Sequence, residues 1–360
     1  MDLRKLLSVS QDVTPTFSKV KLLGGNKAVL SLSPVDAGGV VVTLDDYGRA
    51  TGLDAANADR VLWRTALADE KRGDIYSGGL VYSSGVVVCA VDNKLYGLDP
   101  GTGRISWEST FGNFLGGDLV PINEGKSVAV NTIDSYLYVF DVKSGELSWH
   151  RGEGGVGVRT RSLLSVAYSP DRHHVVVVLP DGRVLCLDSY GGEKIWETVL
   201  DQRNMGFVGG IRVSPVVAGD EVFLSNDLGA LLSINMNTGE VTWSLDVGVR
   251  DISWSDEGLL YIITDKGELL AFDSESKTQI WAISLPNVGR ARVTKWNTPV
   301  RIGDRLWILS SCGYLLGLNR FSGVVEESYV TPGSGGFVRS PVKVGSAVYM
   351  SGKKGLVVVW

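Results

Sequence analysis

Short runs of apolar or alternating residues, separated by Gly, Asp and Asn pairs, succeed one another along the whole chain. In one stretch Val216-Val217 lead to a turn at Gly219-Asp220, and Val222-Phe223-Leu224 lead to Asp227-Leu228-Gly229. Leu231-Leu232-Ser233-Ile234 then run to Asn237-Thr238-Gly239, and Val241-Thr242-Trp243 close the series. Period-two and β-branched runs bounded by turn residues predict four short strands joined by hairpins. No stretch carries a helical period.

The same series returns. Leu98-Asp99-Pro100-Gly101-Thr102-Gly103 leads to Trp107, and Phe140-Asp141-Val142-Lys143-Ser144-Gly145 leads to Trp149. Further copies end at Trp196, Trp243 and Trp281, each eight residues after an Asp or Asn; an earlier copy, from Asp54 to Trp63, is one residue longer. A degenerate copy ends at Glu327 where Trp is expected, and the steps from Trp63 to Glu327 are 44, 42, 47, 47, 38 and 46 residues. A period of this length built only from strands predicts propeller blades.

Seven copies leave three strands over at the C-terminus, the runs beginning at Pro341, Ala347 and Leu356. Thr16-Phe17-Ser18-Lys19-Val20 has the pattern of the missing fourth strand, with Phe17 in the Trp position 46 residues before Trp63. The expected fold is therefore an all-β, eight-bladed β-propeller of four-stranded antiparallel blades, closed by the N-terminal strand joining the C-terminal blade. Residues 1–13 are expected to form a flexible tether and residues 14–360 the propeller.

One Trp per repeat at a fixed place implies a structural task. Trp63, Trp107, Trp149, Trp196, Trp243 and Trp281 are expected to wedge between neighbouring blades, with each indole N–H finding an acceptor. The Asp or Asn and the following Gly are expected to form the turn, the side-chain oxygen capping backbone amides and the Gly taking positive φ.

Composition narrows the function. A net charge of -5 gives no basic field for gathering phosphates, so nucleic acid is not an expected partner. The longest apolar runs are too short to span a bilayer. Cys89, Cys186 and Cys312 lie far apart with no CxxC spacing and read as small buried residues. His150, His173 and His174 fall in no metal-binding pattern, the last two reading as exposed turn residues, so no metal and no catalytic residue is expected. Gly125-Lys126-Ser127 echoes a phosphate-binding loop but falls in a hairpin turn.

Two inter-blade segments combine glycine, arginine and apolar side chains. They are Gly154-Gly155-Val156-Gly157-Val158-Arg159-Thr160-Arg161-Ser162 and Gln202-Arg203-Asn204-Met205-Gly206-Phe207-Val208-Gly209-Gly210-Ile211-Arg212. Val156, Val158, Arg159, Arg161, Arg203, Met205, Phe207 and Arg212 are the candidate partner-binding residues, because exposed Arg, Met and aromatic anchors are favoured at protein interfaces.

The Asp-to-Trp phrases resemble the quinoprotein (PQQ-like) repeat family over nearly the whole chain. Within it, the eight blades, the entry through Thr14-Pro15-Thr16-Phe17 and the ending around Phe337-Val338-Arg339-Ser340-Pro341-Val342 are similar to the outer-membrane protein assembly lipoproteins. That resemblance implies a non-catalytic scaffold without cofactor that binds the POTRA domains of BamA. It also implies contact with unfolded outer-membrane proteins and a periplasmic location, anchored to the inner leaflet of the outer membrane by an N-terminal lipid. In that group the partner contact uses an apolar-x-apolar-Arg stretch, which Val156-Gly157-Val158-Arg159 matches; the companion acidic pair is replaced by Gly210 and Arg212. The rival reading within the repeat family is a small PQQ-dependent quinoprotein dehydrogenase using Ca²⁺, and a third is a ligand-sensing ectodomain.

Overall fold

The computed structural model describes residues 20–23, 32–68, 75–152, 165–200, 213–226, 228–255, 257–287, 294–331, 339–345, 347–352 and 355–359. These form eight four-stranded antiparallel sheets. In seven of them the strands follow chain order, and the blades so formed span 35–66, 78–110, 120–152, 165–199, 216–246, 249–284 and 300–330. The eighth takes Val342–Val344, Ala347–Gly352 and Gly355–Val359 from the C-terminus and Val20–Leu23 as its outer strand. An N-terminal strand thus closes the ring, an eight-bladed β-propeller.

The register corrects one detail. Across a blade the Trp position is reached by stepping from strand to strand, as in Val216, Phe223, Ser233 and Trp243. The same walk in blade 8 runs Val342, Tyr349, Val358 and Lys21, so the closing strand pairs four residues further along than a Trp-like Phe17 requires. Phe17 itself lies outside the described residues.

First strands lie side by side from blade 8 through blade 1 to blade 6, and so line the axis. Second strands such as Leu259–Thr264 and third strands such as Lys94–Leu98 are buried along almost their whole length, because blades cover both of their faces. Outer strands such as Val241–Asp246 alternate half-buried and exposed positions. The hydrophobic core is accordingly divided into eight clusters, each joining the facing sides of two neighbouring blades. Among the described residues no helix is long and apolar enough to cross a membrane.

At most seams the Trp of one blade docks on the turn of the next. Trp63 Nε1 donates to Pro100 O at 2.8 Å, Trp107 to Val142 O at 3.0 Å, Trp149 to Ser189 O at 3.0 Å, Trp196 to Met236 O at 2.8 Å and Trp281 to Arg320 O at 2.9 Å. Each acceptor directly follows the Asp or Asn of the repeat. That side chain shapes the turn: Asp99 Oδ1 accepts from Thr102 N–H at 2.8 Å and Thr102 Oγ1 at 2.7 Å, while Gly103 N–H bonds back to Asp99 O at 2.8 Å. Hydrogen bonds from Thr102, Ser144 and Ser276 hold the Asp99, Asp141 and Asp273 carboxyls below the usual carboxylate range. The turn glycine also meets the indole: a Cβ on Gly192 (φ +76°) would lie 2.7 Å from the Trp149 ring. Glycine is thus required for both backbone and space.

Three seams depart from this scheme. Between blades 5 and 6 the turn glycine is replaced by Lys277 at φ +57°, whose ammonium reaches back to Glu221 at 2.6 Å. Trp243 there meets Phe272 edge-on, with ring centroids 6.4 Å apart. Between blades 7 and 8, Glu327 in the Trp position is buried and bound to Arg305 at 2.8 Å. The missing indole comes from the second strand instead: Trp307 is fully buried over Gly317 and packs against Val348, Met350 and Val357 of blade 8. Between blades 8 and 1, Tyr349, also on a second strand, donates its hydroxyl to Ala55 O at 3.4 Å. Ala55 directly follows Asp54, so Tyr349 uses the same acceptor position that Trp uses elsewhere.

Truncating a buried indole removes large apolar area and leaves a cavity, so Trp196→Ala is expected to cost about 3–5 kcal/mol in urea unfolding. Tyr349→Phe removes one hydrogen bond from a packed ring and is expected to cost about 1 kcal/mol. No loss of stability on truncating Trp196 would contradict the docking role.

Candidate functional site

The first strands begin on one face of the ring, where their ends surround an axial mouth of about 530 Å³. Polar bonds stitch this mouth across blades. Ser33 Oγ of the blade 1 entry donates to Ser340 O at 3.5 Å, and Asn297 Nδ2 donates to Arg339 O at 2.7 Å. Arg339 also forms a two-toothed ion pair with Asp118, from blades 8 and 3, at 3.2 and 3.1 Å. On blade 6, Asp251 accepts from the Thr298 hydroxyl of blade 7 and from Ile252 N–H at 2.9 Å.

Burial pushes the Asp251 carboxyl above its ordinary range, opposed by the Thr298 and Ile252 hydrogen bonds and by Arg250. Asp251 and Arg250 were not among the residues singled out from sequence. The pairing of the blade 6 first strand shifts between Val249 and Asp251, a bulge that no composition signal announces. Among the described residues no group of three or more His, Cys, Asp or Glu side chains is placed to hold a metal ion.

All eight residues proposed from sequence as partner contacts, Val156, Val158, Arg159, Arg161, Arg203, Met205, Phe207 and Arg212, lie outside the described residues. Their anchors are described. Segment 153–164 joins the outer strand Leu147–Gly152 to the first strand Ser165–Ser169, and 201–212 joins Lys194–Val199 to Val216–Ala218. The strand ends that flank both segments lie on the face that carries the axial mouth, and Val213 and Ser214 line that mouth directly. The six Trp residues are all at blade seams, on the rim of the ring rather than at the axis.

Two smaller expectations change. Cys89 and Cys186 are buried, with burial pushing the Cys186 thiol up to about 12, but Cys312 is only half-buried in a turn of blade 7. His173 and His174 are half-buried rather than exposed, because His174 opens the second strand of blade 4 and His173 Nδ1 lies 3.2 Å from the Tyr168 hydroxyl.

The family described as "Outer membrane protein assembly factor BamB" matches residues 16–108 and 55–283, most of the chain. The chain belongs to the BamB family. BamB from Escherichia coli (strain K12) is 25% identical over 365 residues, covering 98% of this chain and 90% of that protein. The crystal structure of BamB from Moraxella catarrhalis has a TM-score of 0.73 at 17% identity, covering 96% of this chain and 98% of that one. The fold, but not this close a fit of length, is shared with quinohemoprotein alcohol dehydrogenase from Comamonas testosteroni, at a TM-score of 0.68 and 13% identity, covering 94% of this chain and 76% of that one.

The raised Asp251 value has a consequence for stability. Its protonated form contributes stability below the ordinary value of 3.8, and that contribution is lost as pH rises through the higher folded-state value. Asp251→Asn keeps an acceptor for Thr298 without the buried charge. Its melting temperature near neutral pH is expected to equal or exceed that of the wild type, with a flatter dependence as pH rises above the ordinary carboxylate range; a fall of several degrees would contradict this.

Proposed function

We propose that this chain is a non-catalytic scaffold subunit of the outer-membrane β-barrel assembly machinery, binding the POTRA domains of BamA through residues of segments 153–164 and 201–212. The observation that carries this reading is the BamB-family match running through both of these segments. Val156-Gly157-Val158-Arg159 supplies apolar anchors beside a guanidinium, the combination that buries area and offers directed hydrogen bonds. Gly210 and Arg212 stand where an acidic pair would complete the family contact, so the second segment meets its partner with a different charge pattern.

The chain works in the periplasm, held at the inner leaflet of the outer membrane by a lipid, with residues 1–13 as the tether. Delivery of unfolded outer-membrane proteins follows from holding the insertase in a productive arrangement rather than from chemistry on the chain itself. Seams locked by aromatic docking support such a role, because a rigid ring keeps the strand ends that flank the two segments at a fixed spacing.

Replacing Val158 and Arg159 together by Glu is expected to abolish co-purification with BamA while the melting temperature stays at the wild-type value. Unchanged binding in the folded variant would contradict the site. Titration with PQQ and Ca²⁺ is expected to leave the absorption spectrum the sum of its parts, whereas a bound chromophore with dye reduction would contradict the scaffold reading.

A further inference from the structure

The axial mouth holds two pairs of opposite charges, and they are used differently. Asp118 and Arg339 are bound to each other. Arg250 and Asp251, adjacent on blade 6 and both lining the cavity, make no ion pair with each other or with any other described residue. The Asp251 oxygens receive only the Thr298 hydroxyl and the Ile252 N–H.

Consecutive residues of a strand ordinarily point to opposite faces. Here Val249 pairs with Thr264 and Asp251 with Ile263, leaving Arg250 as the extra residue of a bulge. That is how two successive side chains come to border one cavity. The first-to-second strand pairings of the other seven blades carry no such shift. The distortion is confined to the place where the unpaired cation and carboxyl meet the mouth.

We propose that the axial mouth binds a small zwitterion of the amino-acid or short-peptide class, with Arg250 taking the carboxylate and Asp251 the ammonium. A ligand carrying only a negative charge would meet Arg250 but face the Asp251 carboxylate, and one carrying only a positive charge would face Arg250. A ligand with both ends satisfies both groups as they leave water, and paired charges are the ones a partly desolvated site tolerates. Its backbone amide or hydroxyl groups find Ser214, Asn297 and Ser340 around the wall, and Val216 and Ile252 give small apolar contacts. A volume of about 530 Å³ falls in the ordinary range for ligand sites and exceeds the needs of a single small amino acid. The upward displacement of the Asp251 carboxyl by burial agrees with this, since burial outweighs the nearby Arg250 charge and a desolvated carboxyl without an ion-pair partner is what an incoming ammonium stabilises.

The test is calorimetric titration of the full chain with alanyl-alanine, its N-acetyl derivative, its C-terminal amide and free alanine. Saturable binding of alanyl-alanine or alanine is expected, and which of the two binds tells whether the natural ligand class is a peptide or a free amino acid. Blocking either terminus is expected to weaken binding by at least about tenfold, as loss of a charge-assisted bond requires. Arg250→Gln and Asp251→Asn are each expected to do the same, while Lys143→Gln, in a turn on the opposite face, keeps the affinity. Absence of saturable heat with both unblocked compounds overturns the proposal. So does equal binding of the blocked forms, or undiminished binding by the folded Arg250 and Asp251 variants. None of these outcomes bears on BamA binding, which is read separately by co-purification.

Discussion

The ring depends on one contact made repeatedly: an aromatic ring of one blade lying on the turn of the next, its polar hydrogen given to the carbonyl that follows the turn's Asp or Asn. A single sheet of four strands cannot bury both faces alone, and the eight apolar clusters lie between blades rather than within them. The docking contact fixes how two blades meet, and the clusters then fill. Thr65, Ser109 and Thr198, each two residues beyond a Trp, add a second bond to the carbonyl of the turn glycine. Packing and hydrogen bonding thus act on the same few atoms at each seam.

Where the repeat degenerates, the interaction survives by a different route. Glu327 ends a copy that lacks its Trp, and Trp307 and Tyr349 reach their seams from second strands. Gly317 leaves room for the Trp307 ring to cross the third strand toward the vacated position. At the Lys277 seam an ion pair with Glu221 stands where a glycine would otherwise receive the indole. The Trp307 and Tyr349 compensations flank blade 8, where N- and C-terminal strands close the ring.

Much of this was legible in the sequence because the repeat spells out strand, turn and docking residue in order. Blade number, the closing strand and the turn glycines follow from spacing and backbone chemistry. The register of the closing strand did not, because its aromatic residue Phe17 suggested a docking position that the pairing gives to Lys21. Trp307 and Tyr349 were hidden as ordinary apolar members of buried strands, since only the three-dimensional row connects them to the missing Trp. The axial pair Arg250 and Asp251 was hidden for a related reason: alternation places neighbours on opposite faces, and the bulge that breaks the rule leaves no mark in composition. Segments 153–164 and 201–212 were the reverse case, conspicuous in sequence through glycine, arginine and apolar anchors, while they lie outside the described residues.

The stiffness of the ring rests on the docking contact being local to each seam. The most direct measurement is a double-mutant cycle on Trp149→Ala and Gly192→Ala in urea unfolding. The Cβ on residue 192 would lie 2.7 Å from the Trp149 ring, at a φ of +76°. In the Trp149→Ala background the alanine is expected to cost only the left-handed backbone strain, about 1–2 kcal/mol, and in the wild type distinctly more. The account therefore predicts a coupling above about 1 kcal/mol. Additive costs would show that the indole and the glycine do not meet, and that the blades are held in register by something else.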